Sequence, residues 1–244
     1  MDGKLVDSWQ LTGDMMQTQQ LSKNDLARTV AVRILLAIPA LLAIFFLPAG
    51  TWDYWEAWAY LLILLIPMSF VLLYLLRNSP QLLERRMRMR EKEAEQSRIV
   101  AISILYYLLV FMLPGLDKRF GWSETPVALV VAAQAIVLLS YGLVFLVFRE
   151  NSYASRVVEV EEQQTVIDSG PYAVVRHPMY VGVILMFVFS PLALGSYWAM
   201  LPALLIVPLL MARIRNEEVV LLRDLPGYEA YTQRVKYRLL PGVW

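Results

Sequence analysis

The sequence predicts an all-α integral membrane protein with about six transmembrane helices and a cytosolic C-terminal region. Three observations predict it. Apolar residues make up 58% of the 244-residue chain and the mean hydropathy is +0.52, well beyond an ordinary soluble domain. Apolar runs approaching the length a bilayer needs recur between short polar links. The basic residues fall in alternate links. With the N-terminus in the cytosol, the inside segments hold Lys4, Lys23 and Arg28, then Arg77 to Arg98, then Arg149, Arg156 and Arg176, then Arg213 to Arg238; the outside segments hold only Lys118 and Arg119.

Residues 1–29 read as a cytosolic polar tail, with Ser22 and Asp25 spaced as an N-cap pair for the helix that follows. Residues 30–148 read as four spans: about Val30–Pro48, Trp55–Leu76, Ile99–Leu113 and Pro126–Phe148. The link Gly50–Tyr54 is short and aromatic, as an interface favours. Ser79-Pro80 reads as the N-cap and first position of a charged helix over about 79–97. Its Glu84 and Arg88 are spaced for an i,i+4 pair, and the helix is expected to be solvated or to lie among headgroups. Pro114-Gly115 reads as the end of the third span, and Asp117–Trp122 as a turn-rich link. Residues 149–244 form the remaining unit: a polar connector, a fifth span Met179–Leu194, a two-residue turn Gly195-Ser196 that forces an antiparallel neighbour, and a sixth span Tyr197–Ala212 that continues into a polar helix. Val157-Val158 and Thr165–Ile167 are expected to be short extended pieces.

Composition excludes several chemistries. The chain has no cysteine, which removes disulfides, thiolate metal sites and Cys nucleophiles. Its single histidine, His177, rules out a His-based metal cluster. A net charge of +1 implies no nucleic-acid partner.

What remains for chemistry is concentrated in two stretches. The first runs Ser169-Gly170-Pro171-Tyr172-Ala173-Val174-Val175-Arg176-His177-Pro178-Met179-Tyr180-Val181-Gly182. Two prolines prevent one uninterrupted helix across it. Pro178 suits the first turn of the fifth span, and a glycine at 182 permits a close approach to the backbone. The second is Arg213-Ile214-Arg215-Asn216-Glu217-Glu218, followed by Tyr228 and Tyr231. Glu217 shares a helix face with Arg213.

Gly-Pro-Tyr-x-x-x-Arg-His-Pro-x-Tyr-x-Gly resembles the signature of the isoprenylcysteine carboxyl methyltransferase and phospholipid methyltransferase superfamily. The later Glu217-Glu218, Tyr228-Glu229-Ala230-Tyr231 and Leu240-Pro241 are similar to its closing motifs. The resemblance covers roughly residues 149–244. Arg149-Glu150-Asn151 and Pro191–Ser196 resemble bacterial members, which implies a bacterial inner-membrane protein; the charge bias is what places both termini on the cytosolic face. The resemblance implies S-adenosyl-L-methionine as cofactor and a lipophilic acceptor: an isoprenylcysteine carboxylate, a phospholipid amine or another small lipophile. It implies Tyr172, Arg176, His177, Pro178, Tyr180, Gly182, Glu217, Glu218, Tyr228 and Tyr231 as cofactor-binding residues, with Arg176, His177 and Glu217 catalytic. Chemically, Glu217 or Glu218 can pair with the ammonium, Arg176 or His177 with the carboxylate, and the tyrosines can offer faces to the adenine or sulfonium. No strand followed by a glycine-rich turn provides a soluble-type nucleotide site. Two other readings share these features: a reductase of the sterol-reductase type, which uses a nicotinamide cofactor, and a non-catalytic membrane protein retaining the fold.

Overall fold

The computed structural model describes residues 23–87, 94–154, 160 and 164–244, and among them all regular structure is helical. Residues 1–22, Arg88 and its pairing with Glu84, and Val157-Val158 lie outside these residues, whereas residues 23–29 of the expected tail are the start of a helix. The elements are α1 (Lys23–Ala49), α2 (Trp55–Asn78), α3 (Pro80–Met87), α4 (Ala94–Phe120), α5 (Val127–Glu150), a 3₁₀ turn (Gly170–Ala173), α6 (Pro178–Ala193), α7 (Met200–Ala203), α8 (Ile206–Asp224) and α9 (Tyr228–Arg234).

Among the described residues, three helices are long and apolar enough to cross a bilayer: Asn24–Ala49, Trp55–Asn78 and Val127–Glu150. Side chains such as Leu35, Leu47, Ile66 and Leu139 are exposed on them. A belt of large exposed apolar residues needs an apolar solvent, and the chain is an all-α membrane protein. Trp52, Trp58, Trp122 and Trp198 are half exposed around one end of the bundle, as an aromatic girdle would be.

The helices alternate in direction. At the girdle end, the Tyr54 hydroxyl donates to Leu194 O at 2.6 Å, and Asp117 accepts from Ser123 N–H (2.7 Å), Ser123 Oγ (2.7 Å) and Ser196 Oγ (2.5 Å). Asp117 is 1% exposed, so these three donors supply what water cannot. A core of Phe45, Phe46, Tyr54, Ala57, Tyr60, Ala133, Val137 and Leu192–Leu194 lies directly beneath. A second cluster, Leu26, Val71, Leu75, Leu82, Leu83 and Phe148, closes the opposite end.

Three expectations change. First, α4 does not stop at Pro114-Gly115 but runs on to Phe120. Its end is Gly121, at φ +65°, a left-handed conformation that glycine adopts without strain. Gly115 instead lets α4 cross α1 closely: a Cβ there would lie 2.7 Å from Phe45 O. Second, α3 is not a solvated helix. Leu82, Leu83 and Glu84 are buried, and Arg86 donates from Nη1 to Ala154 O at 2.7 Å while covering the Phe148 ring at 4.5 Å. Third, the sixth apolar run is divided at Leu204-Leu205. Pro208 has no N–H for Leu204 O, which pairs one residue early with Val207 N–H at 3.1 Å, and Leu205 N–H likewise turns to Pro202 O at 3.1 Å. These shortened bonds tighten the helix into a 3₁₀-like step, and Tyr106 Oη donates to the carbonyls exposed there, Pro202 O (3.1 Å) and Ala203 O (3.3 Å).

The crossing of α1 and α4 sets a first prediction. Gly115→Ala forces backbone apart and should destabilise the protein by roughly 1–3 kcal/mol, the usual overpacking cost. Gly142→Ala meets nothing within 4 Å and should be neutral or slightly stabilising. Thermal unfolding of both variants in detergent checks the contrast; equal melting temperatures would contradict it.

Candidate functional site

The site lies at the end opposite the girdle, where the Arg-His-Pro stretch meets α8, α9 and the last ten residues. Pro171 starts the 3₁₀ turn, in which Val174 N–H returns to Pro171 O at 3.2 Å. Arg176 and His177 lie between this turn and α6. Arg176 N–H donates to Tyr237 O at 2.9 Å and His177 N–H to Arg238 O at 3.0 Å, so the C-terminal segment straps the motif by its backbone. Pro178 then occupies the first turn of α6, where its missing N–H leaves nothing unpaired. Its antiparallel neighbour α5 is packed so closely that a Cβ at Gly182 would meet Val144 Cγ2 at 2.8 Å and Ser140 O at 3.3 Å. That register places the start of α6 about one turn inside the end of α5. The 16 residues of α6 rise only about 24 Å, less than a hydrocarbon core of roughly 30 Å.

The two adjacent glutamates have different environments. Glu218 is 5% exposed and fully engaged: Oε1 accepts from Arg176 Nε at 2.8 Å and His177 Nε2 at 3.2 Å, and Oε2 from Arg238 Nε at 2.7 Å. Burial pushes its pKa up, but the hydrogen bonds from His177, Arg176 and Arg238 outweigh it and pull the group down to about 2. A carboxylate only accepts, so the His177 proton in this contact sits on Nε2. Glu217 keeps a side chain 24% exposed, with Oε1 4.0 Å from His177 Nδ1. Its Oε2 accepts from Tyr180 Oη at 2.5 Å, and that oxygen accepts in turn from Arg213 Nε at 2.9 Å. Arg213 and Glu217 do share a face, as their spacing predicts, but are joined through Tyr180.

Aromatic rings build the remaining wall. Tyr231 Oη donates to Tyr172 O at 2.8 Å, and Asn151 Nδ2 donates to the Tyr172 hydroxyl at 2.9 Å. Burial lifts the Tyr172 phenol to about 12, against the Asn151 hydrogen bond, so it stays protonated at neutral pH. Tyr228 and Tyr231 are buried with Leu225 in a small core of their own, with ring centroids 5.6 Å apart.

A cavity opens among these groups. Of the expected site residues, Tyr172, Arg176, His177, Tyr180, Glu217, Tyr228 and Tyr231 line it. Three others do not. Pro178 and Gly182 serve the start and the packing of α6, and Glu218 lies behind the wall, where it holds Arg176, His177 and Arg238. Its oxygens are already paired, so the choice left open between the two glutamates falls on Glu217 for any ligand cation. Sequence reasoning missed Arg213, Asn151, Met179 and the segment 164–167 as cavity residues, and Arg238 as the third donor to Glu218. Only Arg213 carried a signal, its four-residue offset from Glu217.

Glu218 sets the second prediction. Its folded pKa lies below the unfolded value near 4.5. Its contribution to stability is therefore complete above that pH and is lost as pH falls toward about 2. Glu218→Gln leaves two arginines facing a neutral amide and should cost roughly 3–5 kcal/mol at pH 7. The difference from the unaltered protein should shrink on acidification through that window. Melting curves that stay parallel from pH 7 to pH 2.5 would refute this role.

Comparison with known proteins bears on the same region. Residues 128–225 match the model of the phospholipid methyltransferase family. No curated protein matches the chain. Among solved structures, the chain is similar to the eukaryotic intramembrane Ras methyltransferase ICMT (isoprenylcysteine carboxyl methyltransferase), at 19% identity over 88% of this chain and 86% of that one, with a TM-score of 0.49. The family match starts within α5 and ends after the Glu217-Glu218 helix, so it takes in the strapped motif and its buried carboxylate. The likeness to the phospholipid methyltransferase family is thus carried by that stretch, 98 of the 244 residues.

Proposed function

We propose that this membrane methyltransferase takes the methyl group of S-adenosylmethionine and delivers it to a lipophilic acceptor at the cytosolic boundary of the membrane. The observation that carries the reading is the charge layout of one cavity. Glu217 offers a partly exposed carboxylate, Arg176 a guanidinium, and the tyrosines flat faces. That donor set fits a ligand with an ammonium, a carboxylate, a sulfonium and an adenine ring.

The cofactor supplies a methyl group on a cationic sulfur, which is ready for in-line displacement. The chain's own task is alignment. Glu217, fixed from behind by Tyr180 and Arg213, holds the cationic end. Arg176, fixed by Glu218 and by the carbonyls of Val235 and Lys236, holds the anionic end. A carboxylate acceptor needs no base. An amine or hydroxyl acceptor does, and His177 Nδ1 is then the available proton acceptor, since Nε2–H is committed to Glu218.

The lipophilic character of the acceptor follows from where the cavity lies. The start of α6 is sunk below the end of α5, so the site sits close to acyl chains. At Gly182 the helices α5 and α6 leave no gap for a route. Gly182 is pressed against α5, Tyr141 and Met186 pack on the girdle-end core, and Ser190 is bonded to Tyr60 at 2.6 Å.

Two measurements test the proposal. Calorimetry on the purified protein should show S-adenosylmethionine binding, and Glu217→Gln should weaken it about tenfold or more, the loss of one charge-assisted contact worth roughly 1.5–3 kcal/mol. Unchanged affinity would remove Glu217 from the site. The six-span orientation, with the cavity and both termini cytosolic, is tested by single cysteines in this cysteine-free chain. Impermeant reagents should label Thr232→Cys and Ser123→Cys from opposite sides, and labelling from one side would end the six-span arrangement.

A further inference from the structure

Among the described residues, one buried side-chain polar atom has no hydrogen-bond partner: the hydroxyl of Tyr228. Tyr228 is 4% exposed and lines the cavity. Its ring packs in one cluster with Leu225 and Tyr231, work that phenylalanine would do equally well. A buried hydroxyl without a partner costs free energy that the ring's packing does not require. The hydroxyl therefore looks toward an acceptor that is not part of the protein.

The surroundings define that acceptor. Charged groups that act on Tyr228 are Glu218, Arg176 and Glu217. Glu218 is saturated, and Glu217 is held by Tyr180. Arg176 spends Nε on Glu218 and Nη1 on the carbonyls of Val235 and Lys236; among the described residues its Nη2 has no acceptor. Two donors on one cavity wall, a phenol and a guanidinium edge, ask for an anionic oxygen. We infer that Tyr228 Oη and Arg176 Nη2 together receive the carboxylate of the bound ligand, with the ligand's amino-acid end seated against α9. This rests on the reading of the cavity as an S-adenosylmethionine site and fixes the ligand's orientation within it.

The test uses the purified full chain, two ligands and one variant. The ligands are S-adenosylmethionine and its decarboxylated analogue, which has hydrogen in place of the carboxylate. The unaltered protein should bind the first about tenfold or more tightly than the second. Tyr228→Phe should weaken S-adenosylmethionine by about tenfold and leave the analogue within about twofold. Ligand-free Tyr228→Phe should melt at the same temperature as the unaltered protein or higher, because an unpaired hydroxyl has been removed. Equal affinity of the unaltered protein for both ligands overturns the inference without recourse to any variant. So does an equal loss for both ligands in Tyr228→Phe, or no loss for either, which would assign the hydroxyl to water. A lower melting temperature of the ligand-free variant makes Tyr228 structural and overturns it too. If the unaltered protein binds neither ligand, the S-adenosylmethionine reading itself fails, and that result is separate from all of these.

Discussion

The buried carboxylate of Glu218 is the constraint around which the site is assembled. It sits on α8, but its three donors come from elsewhere: Arg176 and His177 from the segment before α6, and Arg238 from the strap after α9. An unpaired charge at that depth would be intolerable, so the three pieces of chain must meet there together. Once they do, the positions of the cavity side chains follow. Arg176 is presented to the cavity by one edge, His177 has its tautomer set, and the next residue along α8, Glu217, is turned toward the space in front.

Neighbouring residues on one helix thus divide the labour. Glu218 is neutralised by structure, and Glu217 is held in place by a hydroxyl yet remains exposed enough to receive a cation. Tyr180 and Arg213 give Glu217 its orientation without consuming both oxygens. Such a pre-set carboxylate loses little freedom when a ligand arrives, which is how alignment contributes to a displacement reaction.

Much of this architecture is legible in the sequence, and the parts that are not share a physical reason. Apolar length and charge bias reveal α1, α2, α5 and α6, because those helices answer to the bilayer rather than to partners. The Gly-Pro-Tyr to Gly182 stretch announces a proline-divided helix start, and the structure has one. Where reading fails, a distant contact overrides a local rule. Pro114-Gly115 looks like a helix end, yet the helix continues because Gly115 is where α1 crosses. The charged run after Pro80 looks solvated, yet Leu82, Leu83 and Glu84 are buried. Nothing local distinguishes Glu217 from Glu218; the difference is made by Arg238, twenty residues later in the chain.

The strap also has a consequence for biosynthesis. The amides of Arg176 and His177 bond to carbonyls of Tyr237 and Arg238, residues made some sixty positions later. While the ribosome is still translating the intervening chain, the motif has its helix but not its partners, and Arg176 and His177 lack both Glu218 and the strap. The membrane bundle can insert and pack in that interval, since its apolar helices need only lipid and one another. The cavity cannot exist until residues 235–238 have emerged and folded back. A chain whose synthesis has not reached these residues can occupy the membrane without acquiring the cavity.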